Sequence, residues 1–258
     1  MTFSDAKQRF SNRAEDYARY RPGYPSEVLH LLHKWSKLER HHVIADVGSG
    51  TGLLAKLFLD HGNPVIGVEP NTEMRAAGEE FLKYYKNFTS VAGSAEATTL
   101  ESDSVDFVAS GQAFHWFDPA NARDEFRRIL KPGGRVIVLW NERLLDETPF
   151  LRKYEELLRT YGTDYARVSE SYPRAEQMLA FFSPNEFTSH SLPNYQEFDF
   201  EGLRGRLRSS SYAPVEGDRK FPPMMAELKE IFEAHQKNGK VRLEYRTRVY
   251  SGKLDLIG

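Results

Sequence analysis

Apolar residues in this chain fall into short runs separated by longer amphipathic stretches, from about residue 43 to residue 140. Residues 43–47 read as a buried strand. Residues 53–60 put Leu54, Leu57 and Phe58 on one stripe, the mark of a helix. Gly62-Asn63-Pro64 breaks that helix and opens a second strand over 65–69. The pattern then predicts a helix over 71–86, with Asn71 or Thr72 as its cap. A weaker strand follows over 88–92 and another over 105–110. A helix is expected over 119–130, stopped by Lys131-Pro132-Gly133-Gly134, and a fifth strand over 135–140. This alternation predicts an α/β fold: a mostly parallel sheet with right-handed crossovers and helices on both faces.

The flanks break the rhythm. Residues 1–39 read as a helical cover, divided by Arg21-Pro22-Gly23-Tyr24-Pro25. Beyond residue 145, helices are expected over 151–161 and 175–182 and an extended stretch over 188–200. Residues 202–223, with glycine, serine and proline, are expected to cover the site as a lid. Residues 241–250 read as a late strand, added antiparallel. A single domain is expected: a cover over 1–39, a ligand-binding core over 40–145, and a substrate and lid region over 146–258.

The loop after the first strand carries the strongest chemical signal. Asp46 ends an apolar run, and Gly48, Gly50 and Gly52 follow at alternate positions. Glycine permits positive φ and lets backbone approach a ligand closely. A dinucleotide loop would read G-x-G-x-x-G, and Leu53 stands where its third glycine belongs. A carboxylate at Asp46 is a poor neighbour for a pyrophosphate and a good one for an ammonium group. The ligand expected here carries adenosine and a cationic amino acid.

Bulk properties narrow the classes. Of the 258 residues, 40% are hydrophobic, enough for a sizeable core. A formal net charge of −2 gives no strong pull toward nucleic acid or anionic membrane. With no cysteine, disulfides and thiolate chemistry are excluded. No apolar run is long enough to span a bilayer. The expectation is a cytoplasmic protein with no metal site, no membrane or nucleic-acid partner, and either a monomer or a homodimer.

By Asp46-Val47-Gly48-Ser49-Gly50-Thr51-Gly52 the chain resembles the class I S-adenosylmethionine-dependent methyltransferases. The resemblance implies a Rossmann-like, mostly parallel seven-stranded sheet and S-adenosyl-L-methionine as cofactor. It also implies that Glu69, ending the second strand, binds the ribose hydroxyls; a carboxylate can accept both hydrogen bonds of a vicinal diol. Pro70 follows it, and Met74 lies within reach of the adenine face. Ser94, Ala95 and Glu96 resemble the segment lining the adenine. Residues 106–113 resemble the fourth-strand motif beneath the methionine part, with Gly111, Gln112 and Ala113 beside it. Tyr17, Arg21-Pro22 and Tyr24-Pro25, with Gln112-Ala113-Phe114-His115-Trp116-Phe117, resemble a small-molecule subgroup that includes trans-aconitate-like carboxyl methyltransferases. Tyr17 and Arg21 are then candidates for contact with the cofactor's carboxylate or the substrate.

The acceptor is less legible. His115 reads as general base, substrate donor or structural histidine, with Asp118 the nearest carboxylate partner. Trp116, Arg208 and Tyr212 are candidates for substrate contact. Arg204, Arg206 and Arg208 form a basic cluster, and Arg246 and Arg248 share a strand face; both sets suit a carboxylate or a solvated surface. Carboxylate O-methylation of a small molecule is the leading expectation. Hydroxyl or carbon methylation, a non-catalytic cofactor-binding protein and an NAD-dependent oxidoreductase are the alternatives. A DNA-type acceptor is disfavoured, because Gly111-Gln112-Ala113-Phe114 stands where an Asn/Asp-Pro-Pro-Tyr/Phe element would be.

Overall fold

Seven strands form one sheet: β1 (Ile44–Val47), β2 (Val65–Val68), β3 (Phe88–Val91), β4 (Val105–Gly111), β5 (Leu130–Arg143), β6 (Phe187–Phe198) and β7 (Val241–Gly252). The computed structural model describes residues 19–163, 165 and 175–254, so Tyr17 lies outside the described residues. The strand order is β3-β2-β1-β4-β5-β7-β6. β1 to β5 pair parallel, whereas β7 runs antiparallel between β5 and β6. After β3 the chain returns to lay β4 on the other side of β1. Loops leaving β1 and β4 therefore diverge at a switch point, where open α/β sheets bind ligands.

The strands are those that the apolar runs predict, because a parallel strand covered on both faces must be apolar throughout. All four residues of β1 are fully buried, Asp46 among them. Helix α1 (Glu27–Ser36) and helix α2 (Leu53–His61) pack on one face, where Ile44, Phe58, Ile137 and Leu139 meet. Helix α3 (Thr72–Leu82) begins as predicted: the Asn71 side chain accepts from the Met74 amide at 2.9 Å. Helix α4 (Pro119–Ile129) covers the other face with Ala122, Phe126 and Ile129, against Val136 and Val138.

Past β5 the chain builds a second layer over the carboxyl ends of the strands. Helix α5 (Pro149–Tyr161), helix α7 (Phe200–Arg208) and helix α8 (Phe221–His235) share a separate core with Leu243 and Tyr245 of β7. Helix α6 (Ala175–Phe182) instead joins the α4 face through Phe181 and Phe182. One expectation needs correction. β5 continues three residues beyond Trp140, because β7 pairs with it out to Arg143. Its first residues contain the Lys-Pro-Gly-Gly turn, which appears as a register break opposite Val105 and Phe107. Residues 202–223 hold most of α7 and the start of α8. Asp199 caps α7 by accepting from the Gly202 amide at 2.8 Å, and Leu203 and Leu207, one turn apart, are fully buried. Among the described residues, no helix is long and apolar enough to cross a membrane.

Asn141 ties these layers together. Its Nδ2 donates to the Gly23 carbonyl at 3.1 Å, and its Oδ1 accepts from Thr247 Oγ1 at 2.6 Å and Asn194 Nδ2 at 3.2 Å. It thus binds the N-terminal segment to three strands from a position only 4% exposed. Asn141→Ala should lower unfolding stability by about 1–3 kcal/mol, since it strands buried polar partners. Urea denaturation checks this; an unmoved midpoint would show that the network carries no weight.

Candidate functional site

The glycine loop turns over the end of β2. The amides of Gly48 and Ser49 both donate to the Val68 carbonyl, at 2.9 and 3.2 Å, and Gly52 closes the turn by donating to Ser49 at 2.8 Å. All three glycines have positive φ, at 70°, 55° and 84°. Space excludes side chains as well. A Cβ on Gly48 would lie 2.6 Å from that of Ala113, and one on Gly52 would lie 2.6 Å from Leu82. α3 comes so close that a Cβ on Gly78 would stand 3.0 Å from the Gly50 carbonyl oxygen. The loop is therefore held from both sides.

Two carboxylates flank it. Glu69 accepts from the Gly50 amide and the Asn71 amide, each at 2.9 Å, using one oxygen for each. It is 8% exposed. Pro70 joins Glu69 to the start of α3. Asp46 is fully buried, and neither of its oxygens has a partner in good hydrogen-bond geometry. Burial raises its pKa to about 7; the Ala55 backbone amide opposes the rise and the Glu69 charge adds to it. A buried carboxylate left unsatisfied at the head of a glycine loop is an acceptor to which a ligand ammonium group would donate.

β4 supplies the other wall. Gly111 ends it, and the Tyr24 hydroxyl occupies the place a side chain would take, 2.3 Å from an added Cβ. Gln112 adopts φ 58° and turns its amide oxygen toward β5, accepting from the Asn141 amide at 2.6 Å. Ala113 touches the glycine loop, as above. Met74 packs its terminal methyl on Gly50, 3.3 Å from an added Cβ. Asp46, Gly48, Ser49, Gly50, Gly52, Glu69, Met74, Gly111, Gln112 and Ala113 thus lie around the glycine loop and the ends of β1, β2 and β4. Asp106 does not: it sits at the opposite end of β4, accepting from the Val43 amide and pairing with Lys131 at 3.0 Å.

The remaining candidates divide. Ser94 forms a small bridge with Ala97, and Ala95 is buried in the core between them. Glu96 accepts from the Asp118 amide at 2.9 Å, which anchors the start of α4. Asp118 is itself the cap of α4, accepting from Ala120 and Asn121, and so is not a partner for His115. His115 lies in a 3-10 turn, Phe114–Trp116, with Trp116 at 4.4 Å and Trp140 at 5.1 Å between ring centroids. Its Nδ1 is buried without a partner, and burial among these rings lowers its pKa to about 4. Phe114 is core, edge-on to Phe181, while Phe117 packs against the glycine loop.

In the cap, Arg21 donates to the Ser209 carbonyl at 3.1 Å, which docks the N-terminal segment onto the end of α7. Arg208 pairs with Glu216 at 3.3 Å and is 41% exposed. Tyr212 is buried, and the arginines beside it are Arg206 and Arg143. Composition had no means to tell Arg206 from Arg208; the α7 apolar stripe of Leu203 and Leu207 does, since Arg206 lies on the buried side with Leu203 at a spacing of one turn. Tyr24, quoted only as part of a motif, is a wall residue.

The comparisons agree with this geometry. A family model described as a methyltransferase domain matches residues 45–138, which run from β1 into β5. An uncharacterized methyltransferase of Schizosaccharomyces pombe is 29% identical over 245 residues, covering 95% of this chain and 96% of that protein. An uncharacterized methyltransferase of Mycobacterium tuberculosis is 36% identical over 143 residues, 54% of each. In fold, a candidate type II methyltransferase from Anaeromyxobacter dehalogenans superposes with a TM-score of 0.68 at 19% identity, covering 91% of this chain and 98% of that one. Phosphoethanolamine N-methyltransferase 2 of Haemonchus contortus, solved with S-adenosyl-L-methionine, gives 0.55 at 17% identity, covering 98% of this chain and 60% of that one. By its glycine loop, the acid that ends β2, its strand order and these likenesses, the chain is similar to the class I S-adenosylmethionine-dependent methyltransferases, with a methyltransferase-domain match over residues 45–138.

Proposed function

We propose that this protein binds S-adenosyl-L-methionine and transfers its methyl group to a carboxylate oxygen of a small molecule. The unsatisfied Asp46 carboxylate carries the cofactor half of the reading. It sits at the end of β1, just before a loop stripped of side chains and one strand away from the Glu69 carboxylate, so a cationic head and a diol would each meet an acceptor. When bound, this cofactor supplies a methyl group already activated on a sulfonium centre. The chain's part is to align the acceptor and to keep the site dry. Gly111 and Gln112 would offer backbone to the amino-acid end, Met74 would lie beside the adenine, and Tyr24 and Arg21 would close the site from the N-terminal side. The solved Haemonchus contortus relative holds the same cofactor, which supports the assignment.

The state of His115 supports an acceptor that is already ionised. A histidine whose pKa lies near 4 is neutral at pH 7 and a weak base. A hydroxyl, amine or carbon acceptor would need a better one, whereas a carboxylate needs none. In this reading His115 is a neutral hydrogen-bonding and packing group at the acceptor side of β4. The NAD alternative fits poorly, because the glycine spacing departs from that of a dinucleotide loop and a pyrophosphate would have to lie beside Asp46.

Calorimetric titration with S-adenosylmethionine, S-adenosylhomocysteine and NAD tests the assignment. The sulfur compounds should bind and NAD should not; the reverse order would overturn it. Glu69→Ala should weaken cofactor binding by about 1–3 kcal/mol, through loss of paired hydrogen bonds in a buried site. An unchanged Kd would remove Glu69 from the ribose contact.

A pH effect follows from Asp46. Its pKa is raised in the free fold, so its protonated form favours folding, and that contribution is lost as pH rises through about 7. A ligand cation beside it would pull the pKa down. Cofactor binding near pH 6.5 should then release protons, seen as a buffer-dependent binding enthalpy. Asp46→Asn should abolish that release. Binding heats that do not depend on the buffer would place the ligand ammonium elsewhere.

His115→Ala should leave cofactor affinity nearly intact and lower turnover. At saturating substrates, kcat should show no limb near pH 6.5 that is traceable to His115. Such a limb, lost in the variant, would make His115 a titrating base and favour a hydroxyl, amine or carbon acceptor.

A further inference from the structure

Two tyrosines, four residues apart, each fill the place of a missing side chain. Tyr24 sets its hydroxyl over Gly111 at the end of β4, where an added Cβ would lie 2.3 Å from the oxygen. Tyr20 lays its ring on Gly205 of α7, where an added Cβ would lie 2.3 Å from both Cε2 and Cζ. Neither glycine has a positive φ, so the backbone does not require glycine at either position. A glycine inside a helix costs about 1 kcal/mol against alanine. What Gly205 gives in return is room for the Tyr20 ring, and what Gly111 gives is room for the Tyr24 hydroxyl. Residues 20–24 therefore form a strap from the ligand end of the core to the cap.

The strap is stiff, and side chains from other elements hold it. Pro22 within it and Pro25 just beyond it have fixed φ angles. Gln196 Nε2 donates to the Tyr20 carbonyl at 3.1 Å. Asn141 Nδ2 and Asn194 Nδ2 donate to the Gly23 carbonyl at 3.1 and 2.9 Å. Arg21 donates to the Ser209 carbonyl at 3.1 Å. These anchors belong to β5, β6 and the end of α7. Tyr20 packs on the cap core of α5, α7 and α8, and Tyr24 packs on the core around Ile44 and Leu54. A shift at one tyrosine is carried to the other.

The Tyr24 end of the strap lies on the Asp46 side of the sheet. Ile44 and Asp46 share one face of β1, and Ala109 and Gly111 share one face of β4, by the two-residue period of a strand. Ile44, Ala109, Leu54 and Tyr24 meet on that side. Asp46 stands opposite Ala109 in the β1–β4 register, and Gly111 lies two residues further on. At about 4.8 Å between strands and about 3.3 Å per residue, Asp46 and Gly111 are roughly 8 Å apart. A carboxylate and a phenol hydroxyl so spaced suit the two groups of an α-amino acid. The ammonium group would donate to Asp46, and the hydroxyl would donate to the carboxylate.

We propose that Tyr24 reads the carboxylate of the cofactor's amino-acid end, and that the strap carrying it thereby locks the cap in place. The amino acid, and not the nucleoside, then sets the wall against which the acceptor binds. Tyr24 is a cofactor-binding residue in this scheme, and Tyr20 is a positioning residue for the cap. The inference rests on the cofactor reading above.

The test compares S-adenosylhomocysteine with 5′-methylthioadenosine, which has the nucleoside and the thioether but no amino acid. Calorimetry and amide hydrogen exchange are run on the full chain with each. S-adenosylhomocysteine should slow exchange in residues 200–208 of α7 and 194–198 of β6, and methylthioadenosine should not. Tyr24→Phe should weaken S-adenosylhomocysteine binding roughly three- to tenfold, leave the methylthioadenosine Kd unchanged and abolish the protection in α7. Equal weakening of both ligands, an unchanged S-adenosylhomocysteine Kd in the variant, or the same exchange pattern with both ligands would overturn the inference. Binding of neither compound to the native chain would overturn the cofactor reading and the inference with it, whereas binding of both with no difference in protection overturns the inference alone. If Tyr24→Phe does not fold, the exchange comparison on the native protein decides, since it needs no variant.

Discussion

The structure depends on a close approach between the glycine loop after β1 and the elements around it. Val68 accepts two loop amides, Leu82 fills the space beside Gly52, and the Gly50 carbonyl lies against α3 at Gly78. Side chains in the loop would push α3 and the Gly111–Phe117 segment away. With that contact in place, the Asp46 carboxylate is sealed at the end of a fully buried strand, and Glu69 is drawn in by the amides of Gly50 and Asn71. Both carboxylates then carry a desolvation cost in the free protein that a ligand with a cation and a diol can offset. Foldability is given up locally for a preformed recognition surface, as expected of a functional site.

The upper layer follows the same logic with the opposite sign. The core below buries carboxyl groups at Asp46 and Glu69, whereas the cap buries guanidinium groups at Arg206 and at Arg143, which pairs with Glu155. The cap joins the core through Asn141, Gln112 and the 21–24 segment, by hydrogen bonds in which backbone and amide oxygens accept. Between them lie the rings of His115, Trp116 and Trp140, which supply a dry and polarisable wall without a strong base.

The strands and helices of the core were readable residue by residue because their signals are local. A parallel strand must be apolar throughout, a helix must carry its stripe, and Asn71, Asp118 and Gly62 cap or stop their helices through neighbours a few positions away. The glycine loop was readable for the same reason, since positive φ and missing side chains are properties of those residues themselves. Glu69 was legible because it ends a strand that the apolar pattern locates.

What the sequence could not decide were the outcomes set by partners distant along the chain. β5 runs to Arg143 because β7, about a hundred residues later, pairs with it. Glu96 serves α4 and Asp118 caps it, so neither is free to act where spacing alone would put it. Arg208 faces solvent and Arg206 faces inward because α7 packs its Leu203 and Leu207 stripe on a core made by α5 and α8. Whether a histidine is a base or an arginine a surface charge depends on desolvation by neighbours from other elements, and desolvation is a property of three-dimensional packing. The sequence alone determined the sheet, the loop and the class of ligand they suit. Only the tertiary structure decided which charges are buried, and hence which can recognise a substrate.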